Sequence, residues 1–404
     1  MSQAAARGAA EAAARRSYGK LVAWLAGRAR DIAAAEDALA DAFAAALAVW
    51  PDRGVPDSPE AWLLTAARRN LSKRVRHAGV RKAAEPALAL LSAERAEDPA
   101  GALPDRRLEL LFVCAHPAID PAAHTPLMLQ TVLGLDAASI ASAFLVSPAA
   151  MGQRLSRAKA KIRDARIAFA RPAPEDIRPR LEAVLEAIYA AYTAGLDEWL
   201  GGDTRRGDLA GEALFLGRLL ADALPDEPEP SGLLSLMLHV EARRAARRDA
   251  AGAYVPLDAQ DVARWDRAAI VEAEAALGRA ARAGRPGRFQ TEAAIQSFHV
   301  ARRAGGAADW SALDALYEAL FALAPTMAAA VGRAAARLNA GDFAGAIVLL
   351  DALPDAREAY QPYWAVRAAA LDAAGDRAGA HAAYTRAAGL SGDPAVRATL
   401  LARL

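Results

Sequence analysis

Arg154, Arg157 and Lys161 stand at i, i+3 and i+7, a spacing that gathers three cations on one face of a helix. Gln153 lies beside them, and Lys159, Arg163 and Arg166 flank the row. Such side chains recognise rather than transform: cations neutralise phosphates, and the donors of Arg and Gln match base edges in a major groove. A second basic row, Arg69, Lys73 and Arg76, has Arg68, Asn70 and Arg74 around it and Trp62 near its start. Cations next to an aromatic ring can hold phosphates and stack an unpaired base, although Trp62 equally suits a core. Glu36, Asp37 and Asp41 form the opposite case. Like charges at i, i+4 repel by roughly 0.2–0.5 kcal/mol, so the pair Asp37 and Asp41 favours a basic partner. With 49 Lys and Arg against 48 Asp and Glu, the net charge is only +1, and the basic residues are clustered by position, not by bulk composition. A solvated helix face is the plain alternative for each row.

The elements that must hold these residues are legible around them. Ser147 suits an N-cap with Pro148 at the first helical position, predicting a helix over 148–166. Ile140, Ala141, Phe144, Met151 and Leu155 fit the core positions of a helix-turn-helix, with Leu145-Val146-Ser147 as the turn. Met151, Leu155, Ala158 and Ile162 then form an apolar stripe opposite the cations. Upstream, Asp31 caps a helix over 32–50 in which Leu39, Phe43 and Leu47 recur at i, i+4, i+8. Pro51 is expected to end that helix and open a loop to Pro59, and Ser58 to cap a third helix with Leu64, Ala67, Leu71 and Val75 inward. The first dozen residues read as a frayed tail.

Alanine dominates and β-branched residues are sparse, so the expected fold is all-α. Four segments follow from the punctuation: a helical domain over 12–80, a Pro- and Gly-bearing linker over 81–104 with one short helix over 87–95, a second helical domain over 105–170, and a helical extension over 180–404 after a short tether at 171–179. Repetition is clearest in 305–394. Gly341-Asp-Phe and Gly375-Asp lie 34 residues apart, with Ala346 and Ala380 in register, and Asp309-Trp310 begins a looser copy; this is tetratricopeptide-like spacing. The single Cys114 sits in an apolar run and reads as an inert buried thiol, consistent with a reducing cytoplasm. No stretch has the length of a membrane span and the N-terminus lacks a signal-peptide core, so no membrane association is expected. The six histidines show no metal-ligand spacing, and neither a phosphate loop nor a nucleophile elbow occurs, so no catalytic residue, metal or cofactor is expected. His116, before Pro117, reads as a capping or packing residue.

Ala35-Glu-Asp-Ala-Leu-Ala-Asp-Ala-Phe43, together with Trp50-Pro and Gly54-Val-Pro-Asp-Ser-Pro-Glu-Ala-Trp-Leu-Leu-Thr-Ala-Ala-Arg68, resembles region 2 of bacterial sigma factors of the extracytoplasmic-function type. Leu110–Ala118 and Ile140–Arg163 resemble region 4, and 180–404 is similar to the extension of the subgroup that ends in tetratricopeptide-like repeats. The resemblance implies partners and roles. Glu36, Asp37, Leu39, Asp41 and Phe43 match the surface that docks on the β′ coiled coil of core RNA polymerase, with region 4 meeting the β flap. Trp62, Arg68, Arg69, Asn70, Lys73 and Arg76 match the segment that melts and reads the −10 element of promoter DNA. Ser147, Gln153, Arg154, Arg157 and Lys161 match the helix that enters the −35 major groove. The extension would regulate exposure of these surfaces or take a protein or peptide ligand. A different class also fits: a repeat scaffold for protein interaction whose N-terminal domains no longer bind promoter DNA.

Overall fold

Alanine-rich windows with apolar residues every three or four positions form helices throughout, and among the described residues there is no β-strand, only an isolated bridge between Arg248 and Tyr254. The structure, a computed structural model, describes residues 3–79, 105–201, 209–303, 305 and 308–404, with side chains except at 15, 74–79 and 197–201. The expected linker over 81–104 and its short helix lie outside the described residues. Two compact units result, Met1–Leu219 and Leu220–Leu404.

In the first unit α1 (Gln3–Ala29), α2 (Ile32–Arg53) and α3 (Pro59–Gly79) pack on one another. Leu21, Leu25, Ile32, Leu39, Trp50 and Leu63 fill the space between them and are at most 1% exposed. Asp31 caps α2 as its sequence predicts, accepting from the Ala34 N–H at 3.1 Å. Two expectations fail. The first dozen residues are not a frayed tail: α1 starts at Gln3, and Ala6, Ala10 and Ala13 are buried. Alanines at i, i+4, i+7 form a stripe small enough for close packing, whose low hydrophobicity hid it. Pro51 does not end α2, which runs to Arg53 and stops at Gly54, where φ is +88°. A proline in the last turn forfeits one hydrogen bond of the ladder, and the helix closes three residues later on the bond from the Gly54 N–H to the Trp50 carbonyl at 3.0 Å.

The same unit continues with α4 (Arg107–Cys114), α5 (Pro121–Thr131), α6 (Ala137–Ala143), α7 (Pro148–Asp164), α8 (Pro174–Gly201) and most of α9 (Leu209–Ala223), within which the boundary at Leu219 falls. Leu110, Leu111, Phe112, Val113 and Cys114 are all buried, so α4 is enclosed around its last turn and a half and sits among α1, α5 and α8. The tether expected at 171–179 is largely helical, because α8 begins at Pro174 and accommodates Pro179 in its second turn. Ile177, Leu181, Val184 and Ile188 then face inward at i, i+4, i+7, i+11. Arg107 joins α4 to α9: its guanidinium, 7% exposed, pairs with Asp105 at 2.6 Å and with Glu212, and lies over the Phe215 ring.

The second unit opens with α10 (Pro228–Ala242), which is buried along most of its length against α11 (Arg267–Arg282) and α12 (Arg288–Arg303). Glu229 accepts from the Phe289 and Gln290 N–H groups at 2.9 and 3.0 Å, placing a carboxylate at the positive end of α12. Six helices follow: α13 (Trp310–Leu323), α14 (Met327–Asn339), α15 (Phe343–Asp351), α16 (Gln361–Ala373), α17 (Arg377–Leu390) and α18 (Pro394–Leu401). Each packs on the next in the chain, and α14 also meets α16. The 34-residue repetition has a structural counterpart at two turns. Gly341 and Gly375 adopt φ of +88° and +87°, a conformation that favours glycine. The following Asp342 and Asp376 cap α15 and α17 by accepting from the Gly345 and Gly379 N–H groups at 2.8 and 2.9 Å.

Candidate nucleic-acid interface

The basic row of α7 is built from its apolar stripe outward. Met151, Leu155, Ala158 and Ile162 are at most 5% exposed, and they fix which way the rest of the helix faces. Ser147 accepts from the Ala150 N–H at 3.2 Å and sets the start of the helix. Before it, Asp136 caps α6, Ile140 and Ala141 are buried, and the chain turns through Leu145 in the left-handed region, φ +53°. The Val146 N–H closes that turn on the Ala141 carbonyl at 3.0 Å. Ser147, Gln153, Arg157 and Lys161 are exposed, and neither Arg157 nor Lys161 is ion-paired among the described residues. Arg154 is half-buried and reaches the Ala122 carbonyl at 3.4 Å.

On α3 the residues divide. Arg69 and Lys73 are exposed. Trp62 is half-buried, its ring edge-on to Trp50 with centroids 5.5 Å apart. Arg68 lies over the Trp24 ring at 5.5 Å, and the Asn70 amide donates to the Ala38 carbonyl at 3.4 Å. Arg76 lies outside the described residues as far as its side chain is concerned. On α2, Asp37 and Asp41 are exposed, Leu39 is fully buried, and Phe43 is half-buried. Phe43 and Leu47 line a groove of about 380 Å³ together with Arg7, Ala10, Glu11 and Ala14 of α1.

Glu36 does not share the surface of Asp37 and Asp41. Its Oε2 accepts from Lys159 Nζ of α7 at 2.5 Å, with the two side chains 17% and 12% exposed, and its Oε1 is buried without a hydrogen-bond partner. Burial raises the Glu36 pKa, and Lys159 acts against that rise. By sequence Lys159 belongs among the flanking cations. Its phase shows otherwise, because it follows Leu155 by four residues and precedes Ile162 by three, at the edge of the buried stripe. Cys114 is fully buried with Sγ 3.5 Å from Thr131 Oγ1, and burial pushes its thiol up to about 12. The His116 ring accepts from the Ala118 N–H at 3.1 Å, a local cap.

Fold and site together define an all-helical protein of two units that presents a capped amphipathic helix with exposed cations. An uncharacterized protein of Rhizobium meliloti (strain 1021) is 37% identical over 369 residues, 90% of this chain and 87% of that one. The chain belongs to the same family as that protein. Residues 180–281 match a family of unknown function, DUF6596. No solved structure matches the chain. No helix among the described residues is long and apolar enough to cross a membrane.

Proposed function

We propose that this chain is a cytoplasmic promoter-specificity subunit that recruits core RNA polymerase, a sigma factor of the extracytoplasmic-function type with a regulatory helical extension. The observation that carries the reading is α7: a Ser147-capped helix, preceded by a tight turn and a short helix, that seals one face and leaves Gln153, Arg157 and Lys161 exposed on the other. Helices α6 and α7 act as the helix-turn-helix for the −35 duplex. The exposed Arg69 and Lys73 of α3 hold the phosphates of an opened −10 strand, and Asp37 and Asp41 of α2 meet the basic side of the polymerase coiled coil. Such a protein works by binding and strand separation, with no covalent step of its own. The six helices α13–α18 serve as a tetratricopeptide-like solenoid for a protein or peptide ligand, a use that nearest-neighbour packing and the two identical Gly-Asp turns support.

A second reading draws on α3. Trp62, Arg68 and Asn70 are engaged by α1 and α2, as they would be in a repeat scaffold whose N-terminal helices serve structure alone. Co-purification of the full chain with core RNA polymerase, followed by transcription in vitro from a promoter selected by the complex, separates the two. The sigma reading expects start-site-specific transcripts that disappear in the Arg157→Ala, Lys161→Ala variant. A chain that neither joins core enzyme nor directs transcripts leaves the scaffold.

A further inference from the structure

Helix α7 changes character along its length. From Ala137 to Arg163 the chain carries five cations and no acidic residue, so α6 and α7 offer a polyanion nothing that repels it. The exposed cations Arg157 and Lys161 stand in the third and fourth turns of α7, whereas the second turn exposes Gln153, whose amide both donates and accepts. The first turn is exposed and small, being Pro148, Ala149 and Ala150. Just ahead of it stands Leu145, at 93% the most exposed large apolar side chain among the described residues.

Nothing in the chain itself accounts for a leucine there. Its φ of +53° lies in the left-handed region, which glycine enters freely and leucine only at a cost. No burial compensates, because almost the whole side chain is in water. A partner that covers Leu145 would supply what the fold does not. The dimensions of a major groove then sort its neighbours. A recognition helix turns its N-terminal end to the base edges, in a groove about 12 Å wide and 8.5 Å deep. Lys161 follows Gln153 by eight residues, about 12 Å along the axis. With Gln153 at the base edges, Lys161 is carried out toward the phosphates, and Arg157 lies midway.

Resting on the promoter-factor reading, we propose that Leu145 and Gln153 read bases of the −35 duplex, Leu145 by packing on a thymine methyl group and Gln153 by a paired contact with the N6 and N7 of an adenine. Arg157 and Lys161 hold phosphates and carry no sequence information. The DNA this chain selects therefore has A·T pairs beneath the start of α7. Both contacts follow the groove's own chemistry: thymine presents a methyl group there, and adenine sets an acceptor beside a donor, matching a side-chain amide.

The test uses the full chain bound to core RNA polymerase and duplexes that this complex captures from a pool of random sequence. The footprint lost in the Arg157→Ala, Lys161→Ala complex marks the segment under α7. Each thymine in that segment is replaced by deoxyuridine, which removes only the methyl group, and each adenine by 7-deazaadenine, which removes only N7. One deoxyuridine should weaken the parent complex about three- to fivefold and leave Leu145→Gly unaffected. One 7-deazaadenine should weaken the parent about tenfold and leave Gln153→Ala unaffected. Leu145→Gly keeps the fold, since glycine suits that φ, and circular dichroism checks it. Equal losses in the parent and the matching variant overturn that residue's role, as does a segment without thymine or adenine. Weaker binding of Leu145→Gly to core polymerase in the absence of DNA would make Leu145 a protein contact and overturn its base-reading role. Failure to join core polymerase or to capture any duplex removes the promoter-factor reading, whereas specific capture that ignores both base changes removes this assignment alone.

Discussion

In α3 the residues beside the basic row, Trp62, Arg68 and Asn70, lie against neighbouring helices while Arg69 and Lys73 are exposed; in α7 the row and its neighbour Gln153 lie mostly in solvent. Both helices carry several cations over a few turns, and both have an apolar stripe beneath. On α3 the Arg68 guanidinium sits over Trp24, Asn70 reaches the Ala38 carbonyl, and Trp62 packs edge-on to Trp50. On α7 Gln153, Arg157 and Lys161 remain exposed, Arg154 is half-buried, and Lys159 is drawn down to Glu36. The difference comes from what borders each stripe. Helix α3 lies in a three-helix bundle, where the Trp24 ring of α1 takes Arg68, the Trp50 ring of α2 takes Trp62 and the Ala38 carbonyl of α2 takes Asn70. Helix α7 contacts its neighbours along a single face, and its opposite side keeps its charges. Counting basic residues on a helix therefore says less about binding than the angle between each cation and the buried stripe.

The largest effect should come from α7. Replacing Arg154, Arg157 and Lys161 together by alanine is expected to lower affinity for promoter duplex by about 100- to 1,000-fold at low salt, and to flatten the salt dependence by roughly 0.9 in slope for each phosphate no longer neutralised. Thermal stability should move by less than about 0.5 kcal/mol, because none of the three is in the core. Filter binding over a salt series and a thermal melt measure both. A large loss of stability with intact binding would reverse the contrast with α3.

For α3 the expected order of effects is opposite. Trp62→Ala removes the edge packing on Trp50 and part of a buried ring, and should destabilise the first unit by about 2–3 kcal/mol. Single-strand affinity of the protein that remains folded should change little. Urea unfolding followed by tryptophan fluorescence measures the first, and anisotropy with a labelled single strand the second. An unaltered midpoint with abolished strand binding would make Trp62 a stacking platform.

Much of this was legible beforehand, and what was not has identifiable causes. The caps at Asp31 and Ser147 are local devices, each a side chain accepting from the N–H three residues ahead, so sequence places them well, whereas the cap at Asp136 went unread. The stripe Met151–Ile162 is legible for the same reason, since one helix carries it whole. Continuation of α2 through Pro51, burial of Ala6 and Ala10, and the pairing of Lys159 with Glu36 depend on residues far away in the chain. Alanine stripes are the hardest case, because alanine is equally at home buried or exposed and so marks no face. Trp62 was ambiguous from its type alone, and only the neighbouring Trp50 ring decides its packing.

The acidic face of α2 extends the comparison to a helix with charges of the other sign. Asp37 and Asp41 are exposed one turn apart, whereas Glu36 is held inward. Reversing both aspartates to lysine should weaken association with core polymerase by about tenfold, near 1.4 kcal/mol, mainly through slower association at low salt. Helicity should be preserved. Surface plasmon resonance at two ionic strengths reads the rate, and equal association rates for parent and variant would remove α2 from the docking surface.

The smallest effect distinguishes neighbours on one helix. Arg68 and Arg69 are adjacent in sequence, and by charge alone they are equivalent. About 100° of helical rotation separates them, enough to put Arg68 over the Trp24 ring and leave Arg69 in solvent. Arg68→Ala should then lower stability by about 0.5 kcal/mol, because one of the two cations over the Trp24 ring is lost while Arg28 remains at 4.5 Å, and strand binding should stay within twofold. Arg69→Ala should leave the unfolding midpoint in place and reduce single-strand affinity several-fold, with a shallower salt dependence. Running the two variants side by side controls for charge, since each removes one cation from the same turn. If the pair behaved alike in both assays, net charge would govern α3 and the orientation of its cations would not matter. A clean exchange of phenotypes instead ties the packing and binding roles of α3 to opposite sides of a single turn.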